Sequence, residues 1–248
     1  MCGLYNWYDK IKRYFRFSKR EFTGLILTIL IFGFIFGIDD KTGSKELGFY
    51  WYHNLLSMFL IVTLAVVVHI SIQKIYALKL GYKAEFKAWY LGLFVSLVIA
   101  LISQAKLLII LPGAIILTKM AKHRLGYFPY GVNVGAHSMV SAAGPLSNLA
   151  LAFIFYLLRT PFQGNPLINT AIFVNIWFAI FSVLPIPYTD GMNIFFGNKL
   201  AYFFIFGFIV VASILLLLHT PLILLLFLSV AIGLLVMLMF LFFYKKID

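Results

Sequence analysis

The sequence predicts an all-α polytopic membrane protein of about six transmembrane helices, with a small β-sheet or hairpins and a re-entrant segment between helices 2 and 3. Three observations lead there. Hydrophobic residues make up 63% of the 248-residue chain and charged residues 11%, against about a quarter charged in a soluble domain. Apolar runs recur at close to the ~20 residues that cross a bilayer. Lys and Arg gather between those runs, so the net charge of +12 reads as orientation against an anionic leaflet. The lipid bilayer is therefore an expected partner and nucleic acid is not.

Residues 1–21 are expected to form a basic amphipathic cytoplasmic segment, and 22–248 a single integral membrane domain. Tyr8, Ile11 and Phe15 interleave with Lys12, Arg16 and Lys19, a spacing suited to a helix lying in the interface. Residues 1–21 carry six Lys or Arg, whereas the loop 39–51 sets Asp39, Asp40 and Glu46 against Lys41 and Lys45, so the N-terminus is expected in the cytoplasm. The first apolar run ends without a small-residue cleavage pattern and reads as a retained signal anchor. The single cysteine, Cys2, allows no internal disulfide and no cysteine-based metal site.

Spans are expected at about 22–38, 55–77, 144–158, 167–184, 200–218 and 222–243, leaving both termini inside. The connection 78–143, with Lys79, Lys83, Lys87, Lys106, Lys119, Lys122 and Arg124, then falls in the cytoplasm, as does the tail Lys245-Lys246. Within it, Trp89 to Ser103 is apolar but too short to span, and reads as re-entrant or interfacial. Ala84–Trp89, Leu107–Leu117, interrupted by Pro112-Gly113, and Val132–Val140 read as short strands. Glu85, between Lys83 and Lys87, reads as an ion-pair partner.

Chemistry is expected around His69, an ionisable residue deep in the second apolar run, where a polar side chain needs a partner or a purpose. The topology sets Asp190 just beyond the cytoplasmic end of span four, at a depth similar to that of His69 and facing it. Span four closes in Ser182-Val183-Leu184-Pro185-Ile186-Pro187-Tyr188-Thr189-Asp190-Gly191. Its prolines end the helix and Gly191 lets the chain turn back. Span three opens with Gly144-Pro145-Leu146-Ser147-Asn148, Pro145 suiting a first helical turn and Gly144 a close helix approach. His53 lies about 24 Å along the helix from His69. His123, His137 and His219 read as loop or surface histidines, His137 being a conceivable ligand.

In order and spacing these residues resemble the site-2 protease family of intramembrane zinc metalloproteases. Family members carry His-Glu-x-x-His, Gly-Pro-x-x-Asn, and Asn-x-x-Pro followed by Leu-Asp-Gly. The likeness covers about 55–200. Gly144, Pro145, Asn148, Pro185, Asp190 and Gly191 match, and Ala77-Leu78-Lys79-Leu80-Gly81 looks like the segment after the metal helix in archaeal members. The resemblance implies metal-ligand positions at His69 and Asp190, a prokaryotic plasma membrane, and a transmembrane substrate or partner protein.

The match fails where hydrolysis would occur. Ile70 stands at the glutamate position, Gln73 at the second histidine and Ser182 at the asparagine, with Thr189 before Asp190. Catalytic zinc takes three protein ligands plus a water, and a neutral carboxamide is a poor ligand. Isoleucine cannot accept the proton of a metal-bound water. The leading expectation is therefore an inactive homologue that binds a partner's transmembrane helix or strand, with no catalytic residues and no cofactor, His69 and Asp190 being vestigial ligand positions. Two alternatives stay open: an active zinc enzyme with a non-standard third ligand, and an ion or proton transport protein, although neither broken-helix pairs nor opposed repeats are visible.

Overall fold

A computed structural model describes residues 4–38, 48–120, 131–162 and 164–245. Cys2, the acids and lysines of the loop 39–47, Lys122, His123, Arg124 and Lys246 lie outside the described residues. The chain forms two compact units, Met1–Pro129 and Tyr130–Asp248. Six helices are long and apolar enough to cross a membrane, and the protein is an integral membrane protein.

The first unit contains α1 (Leu4–Tyr14), α2 (Lys19–Gly37), α3 (Phe49–Lys79), β1 (Tyr82–Ala88), α4 (Tyr90–Ile102) and β2 (Gly113–Lys119). Helix α2 begins with a capping box: the Ser18 hydroxyl accepts from Glu21 N at 3.2 Å and Glu21 Oε2 accepts from Ser18 N at 2.7 Å. Two orphan amides of the first turn are thereby satisfied. At the other end of α2, Trp51 Nε1 and Asn54 Nδ2 of α3 donate to the carbonyls of Ile38 and Gly37 at 3.2 and 3.1 Å. Helix-end carbonyls that find no water need such partners.

Helix α3 starts at Phe49 rather than near Leu55 and runs for 31 residues, about 46 Å at 1.5 Å per residue. The aromatic turns Phe49 to Tyr52 are amphipathic enough to extend the helix past the ~30 Å hydrocarbon layer. Helix α4 has 13 residues, about 20 Å, so the short apolar stretch expected at 89–103 is a helix that does not span. Strands β1 and β2 pair antiparallel, Tyr82 opposite Lys119 and Ala88 opposite Gly113. In β1, Ala84, Phe86 and Ala88 face inward while Lys83, Glu85 and Lys87 face out. The ion pair expected of Glu85 does not form among the described residues; strand neighbours two apart on an exposed face are solvated separately.

The sheet is smaller than expected. Residues 107–112 carry no strand, since Pro112 withholds a ladder donor. Val132–Val140 is not a strand either but the start of a helix. Asn133 caps it, its Oδ1 accepting from Gly135 N and Ala136 N at 2.8 and 3.3 Å, a local signal stronger than the β-propensity of three valines.

That helix opens the second unit, which contains α5 (Val134–Leu158), α6 (Pro166–Val183), α7 (Asp190–Gly197), α8 (Lys199–Leu217) and α9 (Leu222–Lys245). Because α5 begins ten residues earlier than the 144 expected, Pro145 lies inside the helix rather than in its first turn. The Ser141 carbonyl accordingly loses its i+4 donor. A core of Leu149, Ile172, Ile176, Val183, Ile194 and Ile209 holds the unit together. Gly207 and Gly233 let α8 and α9 approach, as small residues do between membrane helices: a Cβ on Gly207 would lie 3.2 Å from the Cα of Gly233. Along α9, Ile223, Phe227, Leu238 and Phe242 are exposed, the outward apolar surface that lipid covers.

Candidate functional site

The residues singled out by sequence divide between the units. His69, Ile70 and Gln73 belong to α3 in the first. Asn148, Ser182, Pro185, Asp190 and Gly191 belong to α5–α7 in the second. On α3, His69 and Gln73 lie one turn apart, so their side chains share a face. His69 is 7% exposed, Gln73 1% and Ile70 2%. Burial of three motif positions on one stretch of helix marks the interior side of the span. His53, on the same helix, and His219, at a turn, are exposed; His137 lies in the first turns of α5 and is half-buried.

In the second unit the chain leaves α6 at Val183 and returns within six residues to start α7 at Asp190. The return is held by Thr189, whose hydroxyl lies 2.6 Å from Leu184 O and 2.7 Å from Ile186 O and donates to either. Tyr188 takes φ +60° to complete the turn. Gly191 then sits against the backbone carbonyls of Val183 and Leu184, where any Cβ would collide with both oxygens. This turn fixes Asp190, 2% exposed, at the N-terminus of α7, where helix dipoles favour a negative charge. Gly191→Ala is expected to cost about 2 kcal/mol or more, since backbone rather than a flexible side chain must move. Chemical denaturation in neutral detergent measures this, and an unchanged midpoint would contradict the close packing.

Helix α5 buries Asn148 completely, and neither its carboxamide oxygen nor its nitrogen has a hydrogen-bond partner among the described residues. Ser182, 2% exposed on α6, is likewise unpartnered through its hydroxyl. Such groups ordinarily reduce stability by about 1–3 kcal/mol each. Asn148→Ala is therefore expected to leave stability within about 1 kcal/mol of the parent, the relief of the amide offsetting the small cavity. Loss of several kcal/mol on denaturation would show that the amide makes a strong bond after all.

The donor set can be tested against zinc. Catalytic zinc takes three nitrogen, sulfur or oxygen ligands of adequate basicity. Helix α3 supplies one imidazole and one carboxamide, with an aliphatic chain between them. Among the described residues no group of three His, Cys, Asp or Glu side chains could hold a metal ion. The two polar side chains of α3 do not by themselves supply the donors of a catalytic zinc.

A helical membrane protein with a buried histidine on one span and a buried aspartate after another is thus defined. The chain is 32% identical over 188 residues to a protein of Methanocaldococcus jannaschii named "Putative zinc metalloprotease", covering 73% of this chain and 85% of that protein. The chain belongs to the zinc-metalloprotease-like family of that protein. No family model matches it, and no solved structure matches it at a significant level.

The sequence reading missed one arrangement entirely. Glu21, 2% exposed, accepts from Lys74 Nζ at 2.6 and 2.9 Å and from the backbone N of Phe86 at 2.8 Å. Lys74 is 4% exposed and also stands 4.5 Å over the Phe17 ring. One carboxylate thus joins α2, α3 and the outer edge of β1. The pattern Ser18-x-x-Glu21 was a legible capping signal; its link to Lys74, 53 residues away, was not.

Proposed function

We propose that the chain is a site-2-protease-like membrane protein that retains its family's scaffold, hydrolyses no peptide bond, and binds a transmembrane helix or extended strand of a partner protein. It resides in a prokaryotic plasma membrane with both termini in the cytoplasm, an orientation supported by the lysines and arginines of the N-terminal segment. The carrying observation is Ile70, 2% exposed, at the position where the resembling proteases hold their general base. A buried sec-butyl group neither takes a proton from water nor tolerates one beside it. Gln73, 1% exposed, compounds the loss at the second ligand position.

The small antiparallel sheet of β1 and β2 is the element that a strand-like partner would engage, through main-chain hydrogen bonds. The test is cleavage of a generic membrane-helix substrate by purified protein, His69→Ala and Asp190→Ala. The expected result is the same background rate in all three; cleavage abolished by both substitutions would overturn the proposal.

A further inference from the structure

The first unit holds a cavity of about 510 Å³ at the end where α2 begins and α3 stops. Its lining includes Arg13, Arg16, Lys74 and Lys83 against Glu21 and Glu85. Two of these cations are already neutralised. Lys74 is held by Glu21 at 2.6 Å, and Arg13 Nε donates to Asp9 at 2.9 Å. Arg16 and Lys83 are exposed and form no ion pair among the described residues. Lys83 is steadied by the Tyr14 ring, 4.9 Å from its Nζ.

Position gives the cavity its meaning. The apolar windows of α2 and α3 end here, so this end of the unit lies at a membrane–water boundary. The amphipathic α1 lies alongside: Trp7 Nε1 donates to the carbonyl of Ile75 near the end of α3 at 3.1 Å. Two cations without carboxylate partners among the described residues, on separate elements and beside a cavity at that depth, suit a phosphate oxygen cluster. Guanidinium supplies forked donors and ammonium a point charge. Glu85 on the same rim offsets one of the positive charges. That balance favours a singly charged phosphodiester over a dianionic monoester.

We propose that this cavity binds a phosphodiester anion, the headgroup of a glycerophospholipid, through Arg16 and Lys83. Its chemistry is shared with soluble phosphodiesters, and the test separates the two sources. Full-length protein in neutral detergent, which has no surface potential of its own, is titrated with dihexanoyl phosphatidylglycerol, with glycerophosphoglycerol and with inorganic phosphate. The lipid is expected to saturate a single site and to bind more tightly than either soluble anion. Arg16→Ala with Lys83→Ala should weaken it about tenfold or more, the loss of two charge-assisted contacts. Lys12→Ala with Arg20→Ala removes the same charge outside the cavity and should change binding by less than about twofold. The charge-preserving pair Arg16→Lys with Lys83→Arg should retain most of the affinity and guards against loss of fold. Absence of saturable binding, or equal weakening by the two alanine pairs, overturns the site. Equal affinity for glycerophosphoglycerol and the lipid overturns the lipid as occupant.

Discussion

Glu21→Ala is expected to remove about 3–5 kcal/mol of stability, the usual consequence of leaving a buried charge without its partner. The carboxylate meets four donor contacts: Ser18 N, Phe86 N and Lys74 Nζ on both oxygens. Its removal strands Lys74, 4% exposed, and leaves the backbone amides of Ser18 and Phe86 without their acceptor, while the Ser18 hydroxyl still accepts from the amide of residue 21. The second half of the experiment separates these effects. Lys74→Met in the Glu21→Ala background removes the stranded ammonium and should recover most of the loss, leaving the capping deficit of about 1 kcal/mol. Denaturant titration in neutral detergent reads both variants. A loss no larger than that of a surface ion pair, below about 1 kcal/mol, would mean that Lys74 reaches water.

Restoring the missing protease groups, Ile70→Glu with Gln73→His, is expected to make the protein dependent on zinc. Without metal, a carboxylate at a position 2% exposed should lower stability by about 3 kcal/mol or more. With zinc at about one hundred times its dissociation constant, binding should return about 2.7 kcal/mol. Positions 69 and 73 lie one turn apart on α3, the spacing at which two histidines chelate one ion. The parent should show no zinc-dependent change. Metal binding should return more readily than proteolysis, because the new carboxylate must also come within about 2.6–3.2 Å of a metal-bound water, and Ser182 and Thr189 stand where the resembling proteases carry asparagine and leucine. A double variant that stays folded and indifferent to zinc would contradict the assignment of position 73.

Much of the architecture was legible because membrane spans are specified by long apolar runs and by the lysines between them. The six spans and the non-spanning helix α4 are set by length alone. Boundaries were less legible where a local signal overruled hydropathy. Asn133 starts α5 ten residues early, and the aromatic Phe49–Tyr52 turns extend α3 backward. The third expected strand was lost for the same reason. Among the site residues, His69, Gln73 and Asp190 are buried, which hydropathy alone does not specify for a polar side chain. The turn after α6 was foreshadowed by Pro185, Pro187 and Gly191, whereas the Thr189 hydroxyl that holds it depends on a backbone path no spacing reveals. Likewise, the pairing of Glu21 with Lys74 is set by tertiary packing between two spans, and neither residue carries a motif pointing to the other.

The proposed function holds that a member of a zinc-metalloprotease-like family has lost the metal chemistry at its ligand helix. Zinc content of the purified full-length protein after mild chelation tests this most directly, with His69→Ala as the comparison. The account predicts zinc far below one ion per chain and no difference between the two proteins. One zinc per chain in the parent, lost in His69→Ala, would contradict it.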